Sequence, residues 1–192
     1  MSQASDYSVE LEFTPNPNTL KYTTNVAFLL AGAQNFKDLE AARGKSPLAE
    51  KLFGLDGVGA IMVGKNFVTV TLVDQDRLTE LNEDIISTIK AFLATGEKAI
   101  KLEAMSSAES SQQVVPKTDI ERKIVEILDN DIRPAVAMDG GDITFEKFED
   151  GIVFLHLKGA CAGCPSSTAT LKMGIENRLK DSIPEVTEVV SI

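Results

Sequence analysis

The sequence predicts an α+β fold built as two small mixed units on a linker, and three observations predict it. Short apolar runs with a period of two occur in both halves of the chain, beside longer stretches whose apolar residues recur at helical spacing. The segment 103–115, EAMSSAESSQQVV, is rich in Ser, Gln and Ala, lacks any apolar period and is followed by Pro116. No repeat relates the parts on either side of it, so they are expected to be different folds. The expected division is a first unit at 1–102, a flexible linker at 103–116 and a second unit at 117–192.

The first unit opens on Tyr7-Ser-Val-Glu-Leu-Glu-Phe13, where Val9, Leu11 and Phe13 alternate with polar residues as in a half-buried strand. Thr14-Pro-Asn-Pro-Asn-Thr19 is expected to be a loop, because its prolines cannot continue the ladder. Ser46-Pro47 reads as a cap followed by Pro at the first helical position, leading into a helix over 48–53. The β-branched runs 60–63 and 67–73 flank Gly64-Lys-Asn66 and read as a hairpin. Leu78, Leu81, Ile85, Ile89 and Phe92 mark a helix that Gly96 is suited to end.

The second unit begins with the capping-box pattern Thr118-x-x-Glu121. Ile120, Ile124, Ile127 and Leu128 line one helix face, and Pro134 is expected to end or kink that helix. Met138-Asp-Gly-Gly-Asp142 reads as a turn, Ile143 and Phe145 as a strand start, and Asp150-Gly151 as the turn back. Val153, Leu155 and Leu157 alternate along the return strand. Leu171, Ile175, Leu179 and Ile183 mark a second helix stopped by Pro184, and 186–192 a last strand. The order is α-β-β-α-β.

Apolar residues make up 43% of the chain, enough for a buried core, and the formal net charge of −10 splits evenly between the two units. Such an acidic surface argues against nucleic acid, whose binding needs basic side chains to displace phosphate counterions, and against anionic lipid. No apolar run reaches the roughly 20 residues a membrane helix requires. Residues 1–7 are polar, with neither the basic and apolar regions of an export signal nor an Arg-rich transit sequence. The expected compartment is the bacterial cytoplasm, or the mitochondrial matrix if a transit peptide has been removed.

The chain has two cysteines, Cys161 and Cys164, and one histidine. A lone C-x-x-C points to metal or redox chemistry rather than to a disulfide framework. It lies in Gly159-Ala-Cys-Ala-Gly-Cys-Pro-Ser-Ser167, where the expected strand ends and the expected helix begins. The unpaired N–H groups of a helix start stabilise thiolate, so a lowered cysteine pKa is expected. Gly159 and Gly163 leave room for an inorganic core, Pro165 suits a first helical turn, and Ser166 and Ser167 are candidates to cap it. Four-coordinate zinc and common iron–sulfur clusters want four ligands, and this chain offers two thiolates. Two chains facing their cysteine pairs across a two-fold axis supply four; small thiols or a partner protein are the other route. A dimer-bridging zinc module and a thiol–disulfide oxidoreductase use the same residue types and stay open at this point.

Met138-Asp-Gly-Gly-Asp142 together with Gly159-Ala-Cys-Ala-Gly-Cys-Pro-Ser-Ser-Thr168 resembles the NifU-like C-terminal domain. Thr14-Pro-Asn-Pro-Asn-Thr-Leu-Lys21, Ser46-Pro-Leu-Ala49, Leu52-Phe53, Gly57-Val58 and Phe67-Val-Thr-Val-Thr71 are similar to the Nfu N-terminal domain. The resemblance implies a non-enzymatic carrier that holds a labile [4Fe–4S] cluster across a homodimer and passes it to apo-proteins. It implies upstream assembly machinery and apo iron–sulfur clients as partners, and Cys161 and Cys164 as the cluster ligands. Asp139 and Asp142 are read as turn and helix-end residues, and His156 as a strand residue rather than a ligand. The 14–20 loop is read as a rigid connector or as a contact for a client or the other unit.

Overall fold

The computed structural model describes residues 7–30, 32–101, 116–161 and 165–192, without the side chains of Gln75 and 165–168. Nearly all of the expected linker, and Gly163 and Cys164, lie outside these residues, as do the side chains of Ser166 and Ser167. The described residues form an α+β structure with two separate sheets.

The first sheet has five strands: β1 (Val9–Phe13), β2 (Thr19–Thr24), β3 (Gln34–Phe36), β4 (Val58–Val63) and β5 (Phe67–Leu72), in the order β1-β2-β5-β4-β3 with neighbouring strands antiparallel. Its helices are α1 (Leu39–Ala42), α2 (Pro47–Phe53) and α3 (Leu78–Thr95). Ser46 accepts from the Ala49 N–H at 3.1 Å and donates to the Ala99 carbonyl at 2.7 Å, so one hydroxyl caps α2 and ties down a distant loop. Gly96 closes α3 in the left-handed conformation, φ +68°. Leu20, Tyr22, Ile61, Val63, Val68 and Val70 project from one face of this sheet into a core shared with Leu48, Leu52, Ile85, Ile89 and Phe92 of α2 and α3.

Three elements of this unit escape the sequence pattern. Strand β2 begins inside the expected loop; Thr19, Leu20, Lys21, Tyr22 and Thr24 are all buried, so both faces are covered and no polar–apolar alternation marks it. Strand β3 has three residues and α1 four, too few to carry a period.

The second unit starts with α4 (Asp119–Ile127), whose capping box is complete: Glu121 N–H donates to the Thr118 hydroxyl while the Glu121 carboxylate accepts from the Thr118 N–H. Pro134 does not end this helix. A π-helical stretch, Leu128–Ile132, widens the turn ahead of it, and α5 (Arg133–Met138) continues beyond with Pro134 in its first turn, where a missing N–H costs least. Strands β6 (Gly141–Glu149) and β7 (Ile152–Gly159) form a hairpin through Asp150-Gly151, both at positive φ. Helix α6 (Pro165–Ser182) crosses over to β8 (Glu188–Ser191), which pairs parallel to β7. The α-β-β-α-β order is as expected. Ile143, Phe145, Val153, Leu155 and Val189 from the sheet pack with Ile124, Leu128, Val136, Ile175 and Leu179 from the helices.

The two cores share no residue. Leu179 is fully buried in the second. Leu179→Ala is expected to cost about 2–5 kcal/mol. In amide exchange by NMR, protection should fall in β6–β8 and α6 and persist in β2, β4 and β5. A uniform loss would show that the two units unfold as one.

Candidate metal centre

Cys161 sits two residues past the end of β7 and four before α6, between a strand and a helix. Its placement depends on the partner strand. Gly141 pairs with Gly159 at the open end of the β6–β7 hairpin, and the Gly140 carbonyl accepts from the Ala160 N–H at 3.1 Å. The Cys161 thiol lies against Gly141 so closely that a Cβ there would overlap Sγ. Gly159, at φ +64°, holds a conformation that side chains disfavour, and a Cβ on it would lie 2.6 Å from the Gly140 oxygen. The Met-Asp-Gly-Gly-Asp turn and the cysteine turn are therefore one structural piece.

Arg133 fastens that piece to the helix. Its guanidinium pairs with Asp129 at 2.7 Å and with Asp142 at 3.2 Å, and donates to the Ile143 carbonyl at 2.8 Å. Asp142 is 6% exposed and faces Lys158 across the hairpin. Burial raises the Asp142 carboxyl pKa above its ordinary value although Arg133 pulls the other way; burial likewise lowers Lys158 against the pull of Asp142. The sequence carries no sign of the Arg133 role, because only the fold brings it back to residues nine and ten places on.

The expectation of a lowered cysteine pKa is overturned at Cys161. The residue is 6% exposed and packs in the second core. Burial first, then the negative charges of Asp139 and Asp142, push its thiol up to about 11. Asp139 and Asp142 thus do more than shape a turn: they favour the protonated thiol.

Beside Cys161 runs a groove of about 600 Å3, lined mostly by apolar atoms. Ile132, Val136, Leu171 and Ile175 line it with Cys161, and Pro15, from the loop before β2, lines it from the first unit. His156 is turned to other work: Nδ1 lies 3.1 Å from the Ile192 carbonyl and Nε2 3.2 Å from Glu146. Among the described residues, no group of three or more His, Cys, Asp or Glu side chains is placed to hold a metal. No helix among them is long and apolar enough to cross a membrane.

The chain matches two family models, the scaffold protein Nfu/NifU N-terminal domain over residues 9–96 and the NifU-like domain over 124–190. It is 40% identical to the human mitochondrial NFU1 iron–sulfur cluster scaffold homolog, over 96% of this chain and 71% of that protein. It is 36% identical to a NifU-like protein of Schizosaccharomyces pombe, over 96% and 72%. The solution NMR structure of a NifU-like protein from Saccharomyces cerevisiae aligns at a TM-score of 0.47 with 25% identity, covering 53% of this chain and 91% of that one.

The raised thiol predicts slow alkylation. In a Cys164→Ser variant, Cys161 should react with iodoacetamide at pH 8 on the order of a hundred-fold more slowly when folded than in urea. Asp139→Asn should narrow that gap by removing one of the two repelling charges. Equal folded and unfolded rates would contradict the buried, protonated thiol.

Proposed function

This chain belongs to the Nfu/NifU family of iron–sulfur cluster scaffold proteins, and from that premise we propose that two copies hold one labile [4Fe–4S] cluster between them and deliver it to apo-proteins. Cys161 and Cys164 of each copy are the ligands. The observation that carries the reading is the donor set. Each chain has two thiols in all, one of them set against a glycine that leaves space beside the sulfur. Four thiolates, the usual number for such a cluster, exceed what one chain holds and are supplied by pairing two. A site assembled that way opens when the chains part, which suits a cargo that is to be handed on.

The protein's own residues supply the rest. Gly140, Gly141 and Gly159 keep the two turns in close backbone contact around Cys161, and Arg133 anchors them to the helix. Loading must remove the thiol protons, because thiolate is the ligand form. A thiol held up to about 11 stays protonated and unreactive until metal arrives. That same feature counts against the thiol–disulfide oxidoreductase, whose attacking cysteine needs ready thiolate at neutral pH. A zinc bridge uses the same four thiolates and is the competitor to exclude.

In this reading the protein acts as a carrier rather than as a catalyst. The unit at 1–102 serves recognition or control, the segment 103–116 is its tether, and 117–192 carries the cluster. Upstream assembly machinery loads it, apo iron–sulfur proteins unload it, and it works in the mitochondrial matrix or the bacterial cytoplasm. The human relative is mitochondrial by name.

Anaerobic reconstitution with iron and sulfide, followed by size-exclusion chromatography with metal assay, tests the reading. About four irons and four sulfides are expected to co-elute with a dimer. Cys161→Ser and Cys164→Ser should each abolish that peak and leave the circular dichroism spectrum unchanged. Gly141→Ala should lower occupancy by displacing the sulfur. Zinc at one per two chains, retained in air against iron, would transfer the site to the zinc reading.

A further inference from the structure

We propose that the open face of the first sheet is a docking surface for the cysteine turn of the same chain, and that the docked form is the closed state of the site. This rests on the scaffold reading above and adds a control to it. One row of side chains crosses the sheet on the face away from its helices: Glu12, Lys21, Thr69, Met62 and Asn35 are paired in register across all five strands. None of the five belongs to the first unit's core. The middle three nonetheless are buried, Lys21 at 8%, Thr69 at 1% and Met62 at 1% exposed.

What covers them is the second unit. Lys21 Nζ donates to the Met138 carbonyl at 2.8 Å, at the C-terminal end of α5, where free carbonyls attract a cation. Glu12 holds the same ammonium from the other side at 2.8 Å. A Cβ on Gly140 would lie 2.8 Å from Thr69 Cγ2, and one on Gly159 would lie 2.7 Å from Met62 Cε. Two of the three glycines around Cys161 are thus also the points at which the first sheet presses on the turn. Pro15, next to Thr14 of the same contact, walls the groove beside the sulfur. With Cys161 only 6% exposed, a facing chain cannot share a cluster with it in this arrangement.

The contact is built to release. It is rich in polar groups, as reversible contacts between domains are. Thr69 Oγ1 is buried in it without a hydrogen-bond partner, a cost that undocking into water removes. Release would remove the Pro15 wall from the groove beside Cys161 and uncover the sheet face, so the state that opens the site also exposes a surface for its recipient.

The test uses the full metal-free chain in a Cys164→Ser background, comparing it with Lys21→Met and Thr69→Arg. Both substitutions are expected to raise the small-angle scattering radius and to speed Cys161 alkylation on the order of ten-fold. With both cysteines present, the same substitutions should speed cluster loading without changing final iron content. Unchanged radius and alkylation in folded variants would overturn the proposal, as would a loaded dimer whose scattering fits two docked protomers. If Thr69→Arg fails to fold, Lys21→Met decides, since it keeps the side chain's bulk and removes only the charge. If no variant and no wild-type chain takes up iron, the scaffold reading fails; alkylation and scattering still report the docking.

Discussion

The structure of the second unit depends on one close approach of backbone to backbone. At the open end of the β6–β7 hairpin, Gly140 and Gly141 meet Gly159 and Ala160 with no side chain between them. That contact leaves room for the Cys161 sulfur on Gly141. It cannot be adjusted gradually, because a Cβ on Gly141 meets the Cys161 sulfur and one on Gly159 meets the Gly140 carbonyl oxygen. Arg133 and the π-helical stretch serve the same point: the widened turn carries the helix past Pro134, and the guanidinium reaches back to Asp142 and Ile143.

The electrostatics follow from where this piece is buried. Two carboxylates and an apolar core surround a thiol and keep its proton on. A carrier gains from that arrangement. A protonated thiol resists alkylation, oxidation and stray metal, and becomes a ligand only when a metal's charge offsets the burial and the neighbouring carboxylates. A cysteine exposed at a helix start would bind more readily and also react more readily. The surroundings of Cys161 favour the protonated, quiescent thiol.

Much of the fold is legible in the residues because local rules and tertiary burial agree there. Thr118 and Glu121 form the capping box their spacing announces; Ser46-Pro47, Gly96 and Asp150-Gly151 stand where a cap, a helix end and a tight turn need them. Strand β2 is the instructive exception. Its Lys21 and threonines carry no apolar period, yet Thr19, Lys21 and Thr24 are buried, and a carbonyl from far along the chain lies on Lys21. Periodicity sees only one partner face, and β2 has two. Arg133 and Asp142 were illegible for the same reason: their meeting is a property of the closed hairpin.

The sequence by itself determined the α+β class and the α-β-β-α-β order of the second unit, and it singled out Cys161 and Cys164 as the candidate ligands. These follow from periodicity, from the turn chemistry of Gly and Pro, and from a count of thiols too small for one chain. Only the tertiary structure decided the protonation of Cys161, the anchoring by Arg133 and the covering of the cysteine turn by the first sheet. Each of these is set by burial and by charges brought together from distant positions, and desolvation depends on every neighbour in space.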